Sequence, residues 1–398
     1  MLNEKELFQV RVALIQAFLR DKRYDGILLS RADNFAMATG GKRNYIWTYS
    51  DVGANSLFIT RQGEAYFVGN TIEEPRLMTE ELGALGCGIK SFLWFDDSAA
   101  GVARKAFHGN LVSDDGSLGS NVHAELAVLR ALLTETELEK YRRLGRLASE
   151  AMTATLPQIH AGMAEADIAA ILITEGSKRR CQVPVTLVAA DERIARFRHP
   201  LPTAAPLLSG SLKEQPVKNY VMVVGCFMRE GLVTSITRFK QTGALPQGIS
   251  DALSRICGVD ALIQEATLPG KTLGEVFSQC MQAYKSLGFP ENEWHNHHQG
   301  GPTGYAGRTC RAMPGESFPV LDTYWPRRVR ELMGQEIAFG SAFAWNPSAR
   351  GVKSEDTFIL NPDGTKEIVT LTPELPAIDL VLVLGRETDV IKTPLAVS

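Results

Sequence analysis

The 398-residue chain is predicted to fold as an α/β domain over residues 1–134 followed by an α+β domain over residues 135–398. Three observations carry this. The length exceeds what one core usually organises. Helical and strand patterns alternate through the first third. At Thr134 a long amphipathic helix opens, and beyond it paired strands, helices and strands follow in blocks.

Taken in order, Leu7, Val10, Leu14, Ile15 and Phe18 recur at helical spacing near the N-terminus. "YDGILLS" is a short apolar strand behind a polar turn, and "SLFITRQGEAYFVGN" is two strands joined at Gln62-Gly63. "DGSLGSNVHAELAVLRALL" closes the domain with a strand signal and a helix. Thr134 and Glu137 form a capping box, and Leu138, Tyr141, Leu144, Ala148 and Met152 make one apolar stripe, so a long helix starts near residue 135. A second helix over 164–178 follows Gly162. "NYVMVVGCFMREGLVTSITRFKQTG" reads as two or three strands turning at Glu230-Gly231. Helices near 246–266 and 273–287 come next, and Pro362-Asp363-Gly364 marks a final hairpin.

The net charge of -3 argues against a bulk electrostatic footprint for nucleic acid or an anionic membrane. No apolar run reaches about 18 residues, and the charged N-terminus lacks a signal-peptide core, so a cytoplasmic protein without a membrane partner is expected. The six cysteines are scattered with no C-x-x-C pair, which indicates neither a zinc knuckle nor a disulfide framework. The stretch "WHNHHQGGPTGYAGR" raises the question of a metal. His295, His297 and His298 run into a glycine-rich turn, where Gly300, Gly301 and Gly304 suggest tight turns or close approach to a ligand.

"TETELEKYRRLGRLASEAM" followed by "IHAGMAEADIA", the strands ending "SITRF", and "ARGVKSEDTFIL" before the last hairpin resemble the pita-bread superfamily of methionine aminopeptidase, aminopeptidase P, prolidase and creatinase. The first domain resembles the creatinase-type N-terminal domain of its longer members. The resemblance implies two divalent metals on five side chains, with the cations generating a hydroxide nucleophile. Those five places fall here on Val224, Ser235, Gln299, Asn346 and Glu355. A one-residue slip would put His298 in place of Gln299. Only Glu355 keeps a carboxylate, so no metal and no cofactor are expected.

The resemblance further implies that His199, in "ARFRHPLPTA", is the proton-transfer residue, as in metal-free creatinase. Glu355 becomes either a free, catalytic carboxylate that orients a substrate amine or serves as a second proton-transfer group, or a buried salt-bridge partner of Lys353, Arg350 or Arg238. His298, Gln299, Ser235 and Asn346 are expected to line the pocket. Arg308, Arg350 and Lys353 are expected to hold a substrate carboxylate. Trp47, beside Tyr45 and Tyr49, is a candidate lid over the pocket of the second subunit in a homodimer. The expected function is metal-independent hydrolysis of a C–N bond in a small amino-acid-like amine. The alternatives are a biosynthetic lyase or amine–carbonyl cyclase, a metal-dependent Xaa-Pro peptidase, and a non-catalytic binding module.

Overall fold

A computed structural model describes residues 1–203 and 215–397. The first domain runs α1 (Glu4–Lys22), β1 (Gly26–Arg31), α2 (Ala32–Thr39), β2 (Val52–Thr60), β3 (Ala65–Asn70), the single turn α3 (Glu74–Arg76), β4 (Gly88–Phe92), α4 (Ala99–Ala106), β5 (Leu111–Ser113) and α5 (Ala127–Ala131). Its sheet has the order β4-β3-β2-β1-β5, parallel at both edges and antiparallel within. β1 is an unbroken apolar run because both faces of the sheet are covered. α1 buries Leu7, Val10, Leu14, Ile15 and Phe18 toward the main core. α4 places Ala100 and Ala103 against Leu28, Phe58 and Val68 on the other side.

The rest of the chain runs β6 (Leu132–Thr134), α6 (Glu135–Thr155), α7 (Glu165–Lys178), β7 (Gln182–Ala190), α8 (Glu192–Arg196), β8 (Tyr220–Arg229), β9 (Leu232–Gln241), α9 (Ile249–Ala266), α10 (Leu273–Ser286), β10 (Gly300–Thr303), α11 (Tyr324–Met333), β11 (Phe339–Trp345), β12 (Ser348–Ala349), β13 (Val352–Lys353), β14 (Asp356–Leu360), β15 (Lys366–Ile368), α12 (Leu380–Leu384) and β16 (Leu395–Ala396). One sheet has the order β16-β9-β8-β7 and another β10-β11-β14-β15, with β6 also pairing β11. No helix among the described residues is long and apolar enough to cross a membrane.

The turn between β8 and β9 has positive φ at both Glu230 (51°) and Gly231 (73°), the primed geometry that matches strand twist. It sets the register Val224↔Thr237 and Cys226↔Ser235. Directly opposed residues share a face, and alternate pairs share the same one, so Val224, Cys226, Ser235 and Thr237 all point to one side.

The glycine-rich segment after His298 is not a turn. Gly300–Thr303 is a buried strand paired with β11. The glycines admit neighbouring backbone rather than ligand. A Cβ on Gly300 (φ 102°) would lie 2.3 Å from the Ala344 carbonyl oxygen, and one on Gly301 (φ 152°) 2.4 Å from that of Cys310. Gly300→Ala is therefore expected to cost about 1–3 kcal/mol through strain and backbone displacement, read as a lower thermal midpoint. An unchanged midpoint would mean that β10 can shift freely.

A buried ion pair ties the two domains. Arg11 of α1 and Glu137 of α6 are both fully buried, with Nε to Oε1 at 2.8 Å and Nη2 to Oε2 at 2.5 Å. Glu137 also closes the capping box with Thr134 and accepts from the Tyr305 hydroxyl at 2.6 Å. A second buried network fixes the start of β14. Asp356 accepts from Arg238 Nη2 at 2.7 Å, Thr370 Oγ1 at 2.9 Å and Lys392 Nζ at 3.2 Å.

Candidate active site

Glu355 is buried at the entrance to β14 and is not a free carboxylate. Its Oε1 accepts from Arg308 Nη2 at 2.9 Å, and its Oε2 from Thr237 Oγ1 at 2.7 Å and Lys353 Nζ at 3.0 Å. Burial alone would raise this carboxyl. The charges of Lys353 and Arg308 and the Thr237 hydroxyl outweigh it and hold the group down at about 2. Arg350 and Arg238, the other expected partners, lie elsewhere. Arg350 is exposed and joins no ion pair among the described residues, and Arg238 is committed to Asp356.

Arg308 reaches across to β9, where Nη1 donates to Ser235 Oγ at 3.2 Å. Across the hairpin, Cys226 Sγ is 3.3 Å from the same hydroxyl, and burial pushes its thiol up, away from thiolate chemistry. Ser235, Arg308, Lys353 and Glu355 thus form one hydrogen-bonded group with two cations and one anion.

Three imidazoles gather beside it. His199 Nε2 lies 3.0 Å from His297 Nε2, and ring centroids are 4.6 Å (His199 to His297), 5.4 Å (His199 to His298) and 4.4 Å (His297 to His298) apart. Burial, with the nearby charges of Lys353 and Arg311, holds His199 below its ordinary value against the opposing pull of Glu355. Burial first, then Lys353, brings His297 down to about 2. Burial first, then Arg308 and Arg311, brings His298 down to about 3. All three are neutral at pH 7, when a ring nitrogen can accept a proton.

The remaining candidates scatter. Gln299 is fully buried and spent internally. It accepts from the Tyr284 hydroxyl at 2.9 Å and donates to the carbonyls of Trp294 at 3.0 Å and His297 at 2.5 Å. It braces the histidine segment instead of lining a cavity. Asn346 bonds through its backbone N–H to Gln299 O at 3.0 Å, while its Oδ1 is buried without a partner. Trp47 is 71% exposed on a first-domain loop with Ile46 and Tyr49. His297, which neither the inferred ligand place at Gln299 nor its slip to His298 singled out, is the more deeply buried of the adjacent pair. The available signal was the pair itself, since two adjacent histidines in an extended segment give two chances to face one site.

The residues at the five inferred ligand places do not fit a dinuclear cluster. Val224 is apolar, the Gln299 amide is committed, and the sole carboxylate, Glu355, is neutralised by Lys353 and Arg308. A cleft of about 570 Å³ between the domains is lined in part by Asp33, Arg43, Tyr45, Tyr49, Tyr305 and Gly307, and its lining does not include Arg308, Glu355 or the three histidines.

No protein-family model matches the sequence, and no curated protein matches it significantly. Solved structures do match. A prolidase from Pyrococcus horikoshii is similar over 91% of this chain and 98% of its own at 16% identity and a TM-score of 0.66. Dipeptidase PepE from Mycobacterium ulcerans is similar over 100% of both chains at 14% identity and a TM-score of 0.67. The N-terminal domain of the FACT complex subunit SPT16 from Cicer arietinum, named for a complex and not for a peptidase, is similar over 92% of this chain and 96% of its own at 12% identity and a TM-score of 0.58. At such identities the likeness fixes the fold and not the reaction: the chain has the two-domain architecture of these proteins, a creatinase-like α/β domain ahead of an α+β pita-bread domain.

Proposed function

We propose that the chain is a metal-independent hydrolase that cleaves a C–N bond in a small amino-acid-like substrate. The observation that carries this is the pairing of Glu355 with two side-chain cations, Lys353 and Arg308, beside three neutral imidazoles. Where the resembling peptidases would hold metal ions, this chain supplies its own positive charge. That charge attracts a substrate carboxylate, although both terminal nitrogens of Arg308 already donate to Ser235, Gly307 and Glu355.

His199 is the proton-transfer group. It accepts a proton from water as the oxygen bonds to the electrophilic carbon, then returns it to the nitrogen as the C–N bond breaks. Glu355 is a positioning residue here. With its carboxyl held near 2 it is a weak base at neutral pH, and it serves to hold Lys353 and Arg308 in place. The exposed Ile46, Trp47 and Tyr49 suit a homodimer in which the first domain of one subunit covers the site of the other. A monomeric mass by light scattering would take Trp47 out of the site.

The direct test is turnover by chelator-stripped protein on N-acyl and N-amidino amino acids and on Xaa-Pro dipeptides, read as released amine. Turnover that survives stripping supports the proposal. Turnover that appears only with added Mn²⁺ or Co²⁺, and only on Xaa-Pro dipeptides, restores the metallopeptidase reading.

A further inference from the structure

We infer that His199, His297 and His298 form a site for one zinc-class ion, distinct from the five-ligand place of the resembling peptidases. Each histidine offers a ring nitrogen, and the three nitrogens lie within 4.8 Å of one another. Around a tetrahedral Zn²⁺ with Zn–N distances of about 2.0–2.1 Å, neighbouring nitrogens are about 3.3 Å apart. The observed separation of 3.0 Å between His199 Nε2 and His297 Nε2 is close to that, and His199 is the exposed member of the three.

A second observation is that, among the described residues, neither His297 nor His298 is engaged through Nδ1. His297 is only 7% exposed, yet its Nδ1 has no hydrogen-bond partner, and neither has the buried Nδ1 of His298. A buried imidazole nitrogen ordinarily finds a donor or acceptor. These two rings have lone-pair or N–H capacity that no protein group uses. The ligand chemistry selects the ion. Three imidazoles with no carboxylate suit Zn²⁺, Co²⁺ or Cu²⁺ and not Mg²⁺ or Ca²⁺, and three protein ligands leave the fourth position open. Lys353, Arg308 and Arg311 act on the same rings, so the open position would take an anion, either hydroxide or a carboxylate.

Ligation would occupy the ring nitrogen that His199 needs for proton transfer. If the metal-free reading of the reaction holds, bound zinc is therefore an inhibitor, and this part of the inference rests on that reading. The site itself does not.

Zinc binding to chelator-stripped full-length protein is to be measured by calorimetry, with Co²⁺ absorption reporting the coordination geometry. The expected result is one ion per chain with a tetrahedral cobalt spectrum. Affinity should fall at least 10-fold in His297→Ala and in His298→Ala. Circular dichroism checks that each variant folds, and the wild-type stoichiometry decides alone if one does not. No zinc binding overturns the site. So does binding that is insensitive to both histidine variants. Activity is scored separately. Zinc bound with turnover lost upholds site and reaction together, whereas zinc bound with turnover gained upholds the site and ends the metal-free reading.

Discussion

Replacing His199 with alanine lowers kcat on the best substrate by about 10²–10⁴-fold, the usual worth of a positioned acid–base group. KM changes little, because Lys353 and Arg308 are expected to provide the binding. His199 is exposed, so the variant keeps its thermal midpoint. The pH profile makes the test specific. A general base works only when neutral, so kcat/KM falls as pH drops through its pKa. Burial and the Lys353 and Arg311 charges depress that pKa, which puts the acid limb below 6.5. His297 and His298, at about 2 and 3, titrate too low to produce a limb near neutrality. The limb disappears in His199→Ala if His199 causes it. A variant with unchanged kcat, or one that keeps the wild-type acid limb, removes His199 from the reaction.

Glu137→Ala has the largest expected effect on stability, about 3–5 kcal/mol, because it leaves the Arg11 guanidinium buried without a counter-charge. The arginine retains only the carbonyls of Leu129 and Leu132, at 3.0 and 2.8 Å. The loss extends further. The first turn of α6 loses its capping box, worth about 1 kcal/mol, and Tyr305 loses its acceptor. Tyr305 is three residues before Arg308, so Glu137→Ala is also expected to loosen the guanidinium that meets Glu355. The check is thermal unfolding by circular dichroism together with KM. A destabilisation under about 1 kcal/mol would show that water reaches Arg11 once the carboxylate is gone.

Much of the fold was legible because it rests on local signals. The capping box at Thr134 and Glu137, the apolar stripe of α6, the Glu230-Gly231 turn and the Pro362-Asp363-Gly364 turn each lie within a few residues of what they determine. What was not legible depends on distant partners. Gly300 and Gly301 carry a loop composition, yet β11, some 40 residues later, makes them a strand. The second role of Glu137 depends on Arg11, 126 residues earlier. In the site, Ser235, Arg308, Lys353 and Glu355 were each singled out from the sequence, and the structure joins them by hydrogen bonds. Gln299 was expected to line the pocket and braces the histidine segment instead, for a reason spacing cannot show. Tyr284 of α10 captures the Gln299 amide, and the bond from that amide to the His297 carbonyl fixes the extended segment from which His297 reaches His199.

The Lys353–Glu355–Arg308 cluster also bears on how the chain could change. Its positive charge is encoded by codons and cannot be chelated or diluted away. A lone carboxylate introduced at Val224 or Ser235, on the hairpin face toward Glu355, would meet these resident cations and become another ion pair before it could recruit a metal. Several ligands would have to appear together, and at least one cation would have to leave, before any intermediate sequence gained a dinuclear centre. The cluster therefore makes any route to a five-ligand site long while leaving the neighbouring histidines free to diversify.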